Sequence, residues 1–109
     1  MDKVTIEEFS RIELRVATIR NAEEHPRADR LLVLEVDLGD EQRQLVAGIR
    51  GHYEPQELVG KQIVVVANLQ PATLRGVESQ GMLLAANDGS GKLVLVGPEQ
   101  PVGNGAGVR

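Results

Sequence analysis

Alternation of apolar and other residues over short segments is the feature that most constrains the fold of this chain. Apolar side chains occupy every second position of one segment, at Leu32, Leu34, Val36 and Leu38. A repeat of two residues predicts a β-strand that turns one face toward the core. A similar alternation starts at Ile12, and because Ile19 breaks its phase we expect a bulge near Thr18. The core is therefore predicted to be built from strands.

Turn residues separate the predicted strands, three of which precede a short helix. The predicted strands cover residues 12–19, 31–38, 42–49, 61–69, 79–86 and 92–96. The fourth and fifth are apolar on both faces, which predicts burial on both sides. Thr5 and Glu8 form a capping box, which predicts a first helix of one or two turns. A second short helix is predicted over residues 54–60, where a proline and a glycine mark its ends.

This order of elements predicts an all-β chain with the oligonucleotide-binding (OB) fold. The OB fold is a five-stranded Greek-key barrel, here with short helices, one of them between the third and fourth strands. A small β-sandwich has similar strand spacing but gives no reason to place a helix there. The length of 109 residues fits a single domain over residues 1–109.

Composition and motif spacing exclude several kinds of catalytic site. Cysteine is absent, so the chain has no disulfide, thiolate zinc site or thiol nucleophile. His25 and His52 are far apart and have no carboxylates at ligand spacing, so both are interpreted as surface or loop histidines. Residues 76–81 lack the first glycine of a nucleophile elbow, and residues 89–93 have leucine where a phosphate loop needs a hydroxyl. We expect a non-catalytic protein with no cofactor, metal or small-molecule substrate.

Charge and aromatic content limit how such a chain could bind nucleic acid. Its 12 basic and 16 acidic residues give a net charge of -4, so binding would need a local basic patch. The only aromatic residues are Phe9 and Tyr53, whereas proteins that hold single strands stack bases on several rings. Most of the basic residues are arginine, whose planar guanidinium suits phosphate, although a GC-rich or heat-adapted genome gives the same bias.

The link between the fourth and fifth predicted strands, residues 68–82, is the strongest candidate site. It carries amides, a hydroxyl and an arginine on a rigidly held loop. Such groups suit contacts to sugar and phosphate. The alternative is that they only cap the backbone of their own link.

Five motifs resemble the tRNA-binding domain family and cover nearly the whole chain in order. They read Leu-Arg-Val-Ala at 14–17, His-Pro-x-Ala-Asp-Arg-Leu at 25–31, Val-Ala-Gly-Ile at 46–49, Val-Ala-Asn-Leu at 66–69 and Leu-Arg-Gly-Val-Glu-Ser-Gln-Gly-Met-Leu-Leu-Ala at 74–85. The family is found as the dimerising C-terminal domain of bacterial methionyl-tRNA synthetases and as free-standing tRNA-binding proteins. The resemblance implies an OB barrel, often dimeric, that binds tRNA by its folded shape rather than its sequence.

The expected tRNA-binding residues are four basic side chains and four residues of the 68–82 link. They are Arg15, Arg30, Arg43, Lys61, Asn68, Arg75, Ser79 and Gln80. The first four are assigned to one positive face, and the others to the rim that orients the RNA backbone. Met82 is assigned to packing. A rival function is polypeptide binding through exposed apolar strand faces, as in an export-chaperone relative of the family.

A homodimer is also expected. Four apolar residues lie opposite the core-facing sets of their strands: Leu31, Val33, Val64 and Val66. The interior of one barrel covers only one face of each strand, so we expect a second copy of the chain to cover the other face. Alternatively, residues 6–9 and the C-terminal tail fold back over that surface.

Neither a signal peptide nor an apolar run of about 20 residues is present, so we expect a cytoplasmic protein with no membrane partner.

Overall fold

A computed structural model describes all residues from Met1 to Arg109 as two short helices and ten strands. The helices are α1 (Ile6–Ser10) and α2 (Pro55–Leu58). The strands are β1 (Leu14–Glu24), β2 (Leu32–Asp37), β3 (Gln42–Ala47), β4 (Gln62–Val66), β5 (Ala72–Leu74), β6 (Val77–Ser79), β7 (Met82–Leu83), β8 (Ala85–Asn87), β9 (Leu93–Leu95) and β10 (Gly107–Val108). Neither helix has the length and apolar character needed to span a bilayer.

The strands form a nearly closed antiparallel barrel, which confirms the predicted OB fold. The hydrogen-bonded order is β3-β2-β1-β4-β7, and β10 also pairs with β1. Strand β1 is long enough to pair with β4 and β10 over its first half and with β2 over its second half. The register of β1 with β2 shifts between Ile19 and Asn21, just after the predicted position of the bulge.

The free edge of β3 meets the segment that follows β6, and this contact closes the barrel. The Gln80 amide donates to the Gln44 carbonyl at 2.8 Å. The Ser79 hydroxyl accepts from the Val46 amide at 2.9 Å and donates to the Gly81 carbonyl at 2.8 Å. The Gln80 side chain accepts from the Gln44 amide at 2.9 Å. Closure therefore depends on two side chains as well as on the backbone.

The alternating pattern correctly identified the core faces of β2 and β4. Leu32, Leu34, Val36 and Leu38 are all fully buried. Ile63 and Val65 of β4 are buried with them in the same hydrophobic cluster, together with Leu58 of α2. The short helix α2 therefore packs its one buried side chain against the end of the barrel.

The prediction of one continuous strand over residues 79–86, buried on both sides, was wrong. The segment divides into the end of β6, the two-residue β7 and the start of β8. Gly81 lies between β6 and β7 with φ of 142°, a backbone conformation that interrupts a regular strand. Met82 is 56% exposed, so it does not pack in the core of its own chain. An apolar segment does not show where the backbone turns.

The C-terminal segment is held against the barrel by a small polar network. The Gln62 side chain bonds both the amide and the carbonyl of Val102, at 3.1 and 2.7 Å. The Thr18 hydroxyl donates to Asn104 Oδ1 at 2.6 Å, and β10 then pairs with the start of β1. The C-terminal segment is therefore fastened to the barrel and is not a free tail.

Substitution of Ser79 tests the closure of the barrel. In Ser79→Ala the buried amide of Val46 loses its acceptor, so the free energy of unfolding should fall by about 1–3 kcal/mol. Urea denaturation measures this change. Ser10→Ala, at an exposed serine of α1, is the control and should change stability by less than about 0.5 kcal/mol. Equal stability of the Ser79 variant and the natural chain would contradict this account of closure.

Candidate nucleic-acid interface

Two loops meet at one end of the barrel. We call residues 25–31, between β1 and β2, the first loop, and residues 67–81, between β4 and β7, the hairpin loop, since it contains the β5–β6 hairpin. They correspond to the connections between the first and second and between the fourth and fifth strands of an OB barrel. In OB folds these two connections contact oligonucleotides.

Arg27 of the first loop and Arg75 at the hairpin tip hold each other in place. The Arg27 guanidinium donates to the Arg75 carbonyl through Nε at 3.2 Å and Nη2 at 3.1 Å. Arg75 Nη2 donates in return to the Arg27 carbonyl at 3.4 Å. Arg75 is the only residue other than glycine with positive φ, at 51°, a conformation that costs free energy and is held here by these contacts.

Gly76 makes room for this arrangement. Its φ is 88°, and a Cβ atom added there would collide with the Arg27 guanidinium. The backbone conformation favours glycine at this position, and a larger residue would also displace the Arg27 guanidinium from its place beside Arg75.

His25 joins the two loops beneath the arginines. Its ring is 3% exposed, and Nε2 lies 2.9 Å from the Leu74 carbonyl oxygen. Nδ1 accepts from the Arg27 amide at 2.9 Å. The prediction that His25 is a surface or loop histidine was right about the loop and wrong about the surface. Both polar atoms of the ring are used inside the protein.

Arg30 and Arg50 extend the basic surface beside the first loop. Arg50 donates to the Ala28 carbonyl at 2.9 Å and forms an ion pair of 3.1 Å with Glu24. The Arg50 amide donates to the Arg30 carbonyl, so the two backbones lie side by side. The Arg30 side chain is exposed and belongs to no ion pair. We call Arg27, Arg30 and Arg75 the arginine surface.

The arginine surface is poorly neutralised by the protein itself. The chain has five ion pairs between side chains, and none of them includes Arg27, Arg30 or Arg75. Guanidinium groups held side by side without a carboxylate create a local positive potential. Such a surface is suited to an anion, and planar forks suit phosphate oxygens in particular.

Arg15 and Arg43 lie elsewhere and are already paired with carboxylates. Arg15 bonds Asp40 at 2.9 Å and the Leu38 carbonyl at 3.0 Å, and its side chain is 15% exposed. The Arg15 hydrogen bond lowers the pKa of Asp40. The Arg43 hydrogen bond likewise lowers the pKa of Glu41, and Glu41 raises the pKa of Arg43. Arg43 also donates to the Ala67 carbonyl, so both arginines fasten the barrel.

The remaining predicted residues are spread over the structure. Lys61 is exposed just before β4, where its carbonyl accepts from Ile19 of β1. The Asn68 side chain accepts from the Glu13 amide at 2.8 Å and donates to the Arg11 carbonyl at 2.6 Å. Ser79, 5% exposed, and Gln80 close the barrel as described above. The structure therefore places Arg30 in the loop that contacts Arg75 through Arg27, and it does not bring the four predicted basic residues onto one face.

Sequence reasoning missed Arg27 and Arg50. Arg27 occupies the unspecified position of the motif at 25–31, so the motif itself gave no reason to select it. The signal that was present is the cluster Arg27 and Arg30 within a single short loop. Arg50 follows the motif at 46–49 directly, but nothing in the sequence shows that it reaches Ala28.

No group of three or more histidine, aspartate or glutamate side chains is arranged to hold a metal ion. The residues of the arginine surface suit electrostatic contacts with phosphate rather than acid–base chemistry.

Comparisons with known proteins agree with this assignment of fold. Residues 14–107 match the family described as "Putative tRNA binding domain". The chain is 53% identical over 109 residues to a methionine–tRNA ligase of Thermococcus kodakarensis, of which it spans about 15%. The MetRS related protein of Pyrococcus horikoshii is 38% identical, with a TM-score of 0.94 and 100% coverage of both chains. The chaperone CsaA of Bacillus anthracis is 32% identical, with a TM-score of 0.90, over 99% of this chain and 100% of the other.

The fold and its basic loops define a nucleic-acid-binding barrel of the OB class. The chain belongs to the tRNA-binding domain family. Its similarity to methionine–tRNA ligases covers a small part of those enzymes, so the activity of a whole ligase does not transfer with the match.

Proposed function

We propose that the arginine surface binds the sugar-phosphate backbone of folded tRNA. The observation that carries this proposal is the pair Arg27 and Arg75, held side by side where two loops meet and paired with no carboxylate. The repulsion between two guanidinium groups is relieved when a phosphate lies between or above them. Arg30, also in the first loop and in no ion pair, adds a third positive charge for a neighbouring phosphate.

The surface is suited to the shape of tRNA rather than to its bases. Neither aromatic residue contributes to it: Phe9 lies in α1, and the Tyr53 hydroxyl accepts from the Leu95 amide at 3.1 Å. Without rings for stacking, single-stranded bases have little to bind. Double-helical RNA presents phosphates and 2′-hydroxyls instead. Binding should therefore tolerate changes of sequence and require a folded RNA.

We further propose that the chain works in the cytoplasm as a second attachment point for tRNA, either within a methionine–tRNA ligase or as a free-standing relative. Its relatives include a methionine–tRNA ligase and a MetRS related protein. A tethered second site raises the effective concentration of the bound tRNA at a catalytic body without adding chemistry. In that role the chain itself is non-catalytic.

Polypeptide binding is the second candidate, and the likeness to a chaperone favours it. A polypeptide site of that kind needs accessible apolar surface. The arginine surface instead offers fixed charge, and its strongest partner by chemistry is a polyanion. The two functions can be separated by measuring which ligand depends on Arg75.

The residues for the tRNA site are therefore Arg27, Arg30 and Arg75, with Lys61 as an exposed charge outside the loops. Arg50 supports the first loop, because Glu24 and the Ala28 carbonyl already hold its guanidinium. Arg15, Arg43, Asn68, Ser79 and Gln80 act through the barrel that holds the loops. Each of these five side chains forms hydrogen bonds with groups on other elements. These bonds leave little of their polar capacity for RNA.

Salt dependence provides the direct test of the arginine surface. The slope of log affinity against log salt should have a magnitude of about 2 to 4 for each copy, because only a few phosphates are neutralised. Arg75→Ala should weaken all tRNAs alike by about 1–2 kcal/mol and lower that slope by about one unit. Filter binding at several salt concentrations measures both quantities.

Lys92→Ala is a suitable control because it removes one exposed positive charge from the distant turn between β8 and β9. It should leave both the affinity and the slope nearly unchanged. If the two variants bind tRNA equally well, or if Arg75→Ala lowers the melting temperature without changing the slope, Arg75 belongs to the scaffold.

We also propose a homodimer. Of the residues first predicted, Val66 lines one of the grooves proposed below as the interface. Val33 and Val64 are 9% and 6% exposed within one chain, so they need no partner. Apolar side chains are instead exposed on and beside α1: Ile6, Phe9, Ile12, Leu69 and Met82. They line two neighbouring surface grooves that share Arg11, Ile12 and Asn68. Helix α1 has no buried residue, and a helix of five residues has little stability of its own.

Sedimentation tests the dimer. At micromolar concentration the chain should behave as a particle of twice its 11.8 kDa. Phe9→Asp should shift it toward the monomer, because a charge would then be buried at the interface. Val59→Asp changes an exposed apolar residue outside these grooves and should leave the dimer intact. Sedimentation of the natural chain as a particle of 11.8 kDa would contradict the proposed homodimer.

A further inference from the structure

We propose that His25 is the positioning residue of the tRNA site: its neutral imidazole joins the first loop to the hairpin loop and so sets Arg27 and Arg75 side by side. This inference rests on the proposed function. The ring is almost fully buried, and neither the barrel core nor the phosphate contacts described above account for it.

The contacts of His25 determine which nitrogen carries the proton. The Arg27 amide can only donate, so Nδ1, 2.9 Å away, must be an acceptor. The Leu74 carbonyl can only accept, so Nε2, also 2.9 Å away, must donate. A neutral ring protonated at Nε2 satisfies both. The opposite tautomer satisfies neither, since it would set a donor against the amide and an acceptor against the carbonyl.

We call the two hydrogen bonds of the His25 ring the bridge, and they hold the backbone at or next to the two arginines. Its first contact is the backbone of Arg27 itself, and its second is the residue before Arg75. The His25 amide also donates to the Leu31 carbonyl at 3.1 Å, which closes the neck of the first loop. One side chain therefore fixes the base of the first loop and the end of β5 relative to each other.

Positioning matters here because the two arginines carry like charges and no carboxylate pairs with either of them. The bonds between their side chains and backbones are exposed to water, where they contribute little. The bond from the buried His25 ring to the Leu74 carbonyl is partly shielded from water and holds the hairpin tip in its place. A surface that is already arranged for phosphate does not lose free energy in becoming ordered when tRNA binds.

Two substitutions divide the functions of the ring. An asparagine oxygen takes the place of Nδ1 and accepts from an amide two residues on, as in an Asx turn. Its side chain is too short to reach Leu74. A glutamine amide nitrogen takes the place of Nε2 and can still donate to the Leu74 carbonyl. His25→Asn thus keeps the local turn and loses the bond to Leu74, whereas His25→Gln keeps the bond to Leu74 and loses the turn.

We expect His25→Asn to weaken tRNA binding by about fivefold to tenfold, the scale of one lost hydrogen bond, and His25→Gln by about twofold or less. Filter binding measures the affinities, and thermal melts show whether each variant is folded. If His25 served stability alone, the loss of tRNA affinity in each variant would only follow the fall in its melting temperature. Natural affinity in His25→Asn, or equal losses in both variants, would overturn the inference.

Nitrogen-15 NMR of the natural chain provides a second test that needs no variant to fold. The imidazole of His25 should show a protonated Nε2 and an unprotonated Nδ1, and a signal for the other tautomer would overturn the bridge. Hydrogen exchange at residues 72–79 separates this inference from the proposed function. If exchange rises in His25→Asn while Arg75→Ala leaves tRNA binding unchanged, the bridge exists and the proposed RNA surface is wrong.

Discussion

The length of β1 is the constraint on which the rest of the structure depends. Eleven residues allow one strand to pair with β4 and β10 at its start and with β2 at its end. The shift of register between Ile19 and Asn21 lets the strand follow both partners, as bulges do in small barrels. His25 comes directly after the end of β1, so the position of the first loop is set by the strand that organises the barrel.

The distribution of charge explains how an acidic chain can present a surface for a polyanion. Arg15, Arg20 and Arg43 are held by carboxylates that follow or end β2, and these pairs neutralise one region of the barrel. Arg27, Arg30 and Arg75 are left without such partners at the other end of β2, where the two loops meet. The net charge of -4 therefore conceals a local excess of positive charge. Long-range attraction for RNA is modest, and contact at short range decides binding.

The fold was predictable because alternation reports directly which face of a strand is buried. Leu32, Leu34 and Leu38 needed no knowledge of their partners to be assigned to the core. The site was less predictable, since each assignment depended on residues far away in sequence. Arg15 looked free until the structure brought Asp40 to it, and Ser79 looked like a rim residue until its hydroxyl was found to complete the edge of β3. Arg27 had no special pattern of its own and became important only through its contact with Arg75, 48 residues away.

The central claim is that folded tRNA contacts the first loop and the hairpin loop together. Titration of the nitrogen-15-labelled chain with folded tRNA tests it most directly, since every backbone amide except those of the prolines is observed at once. The account predicts that the largest shifts fall within residues 25–31 and 72–80, with small changes elsewhere on the barrel. Shifts confined to α1 or to the β8–β9 hairpin, with these two loops unaffected, would contradict it.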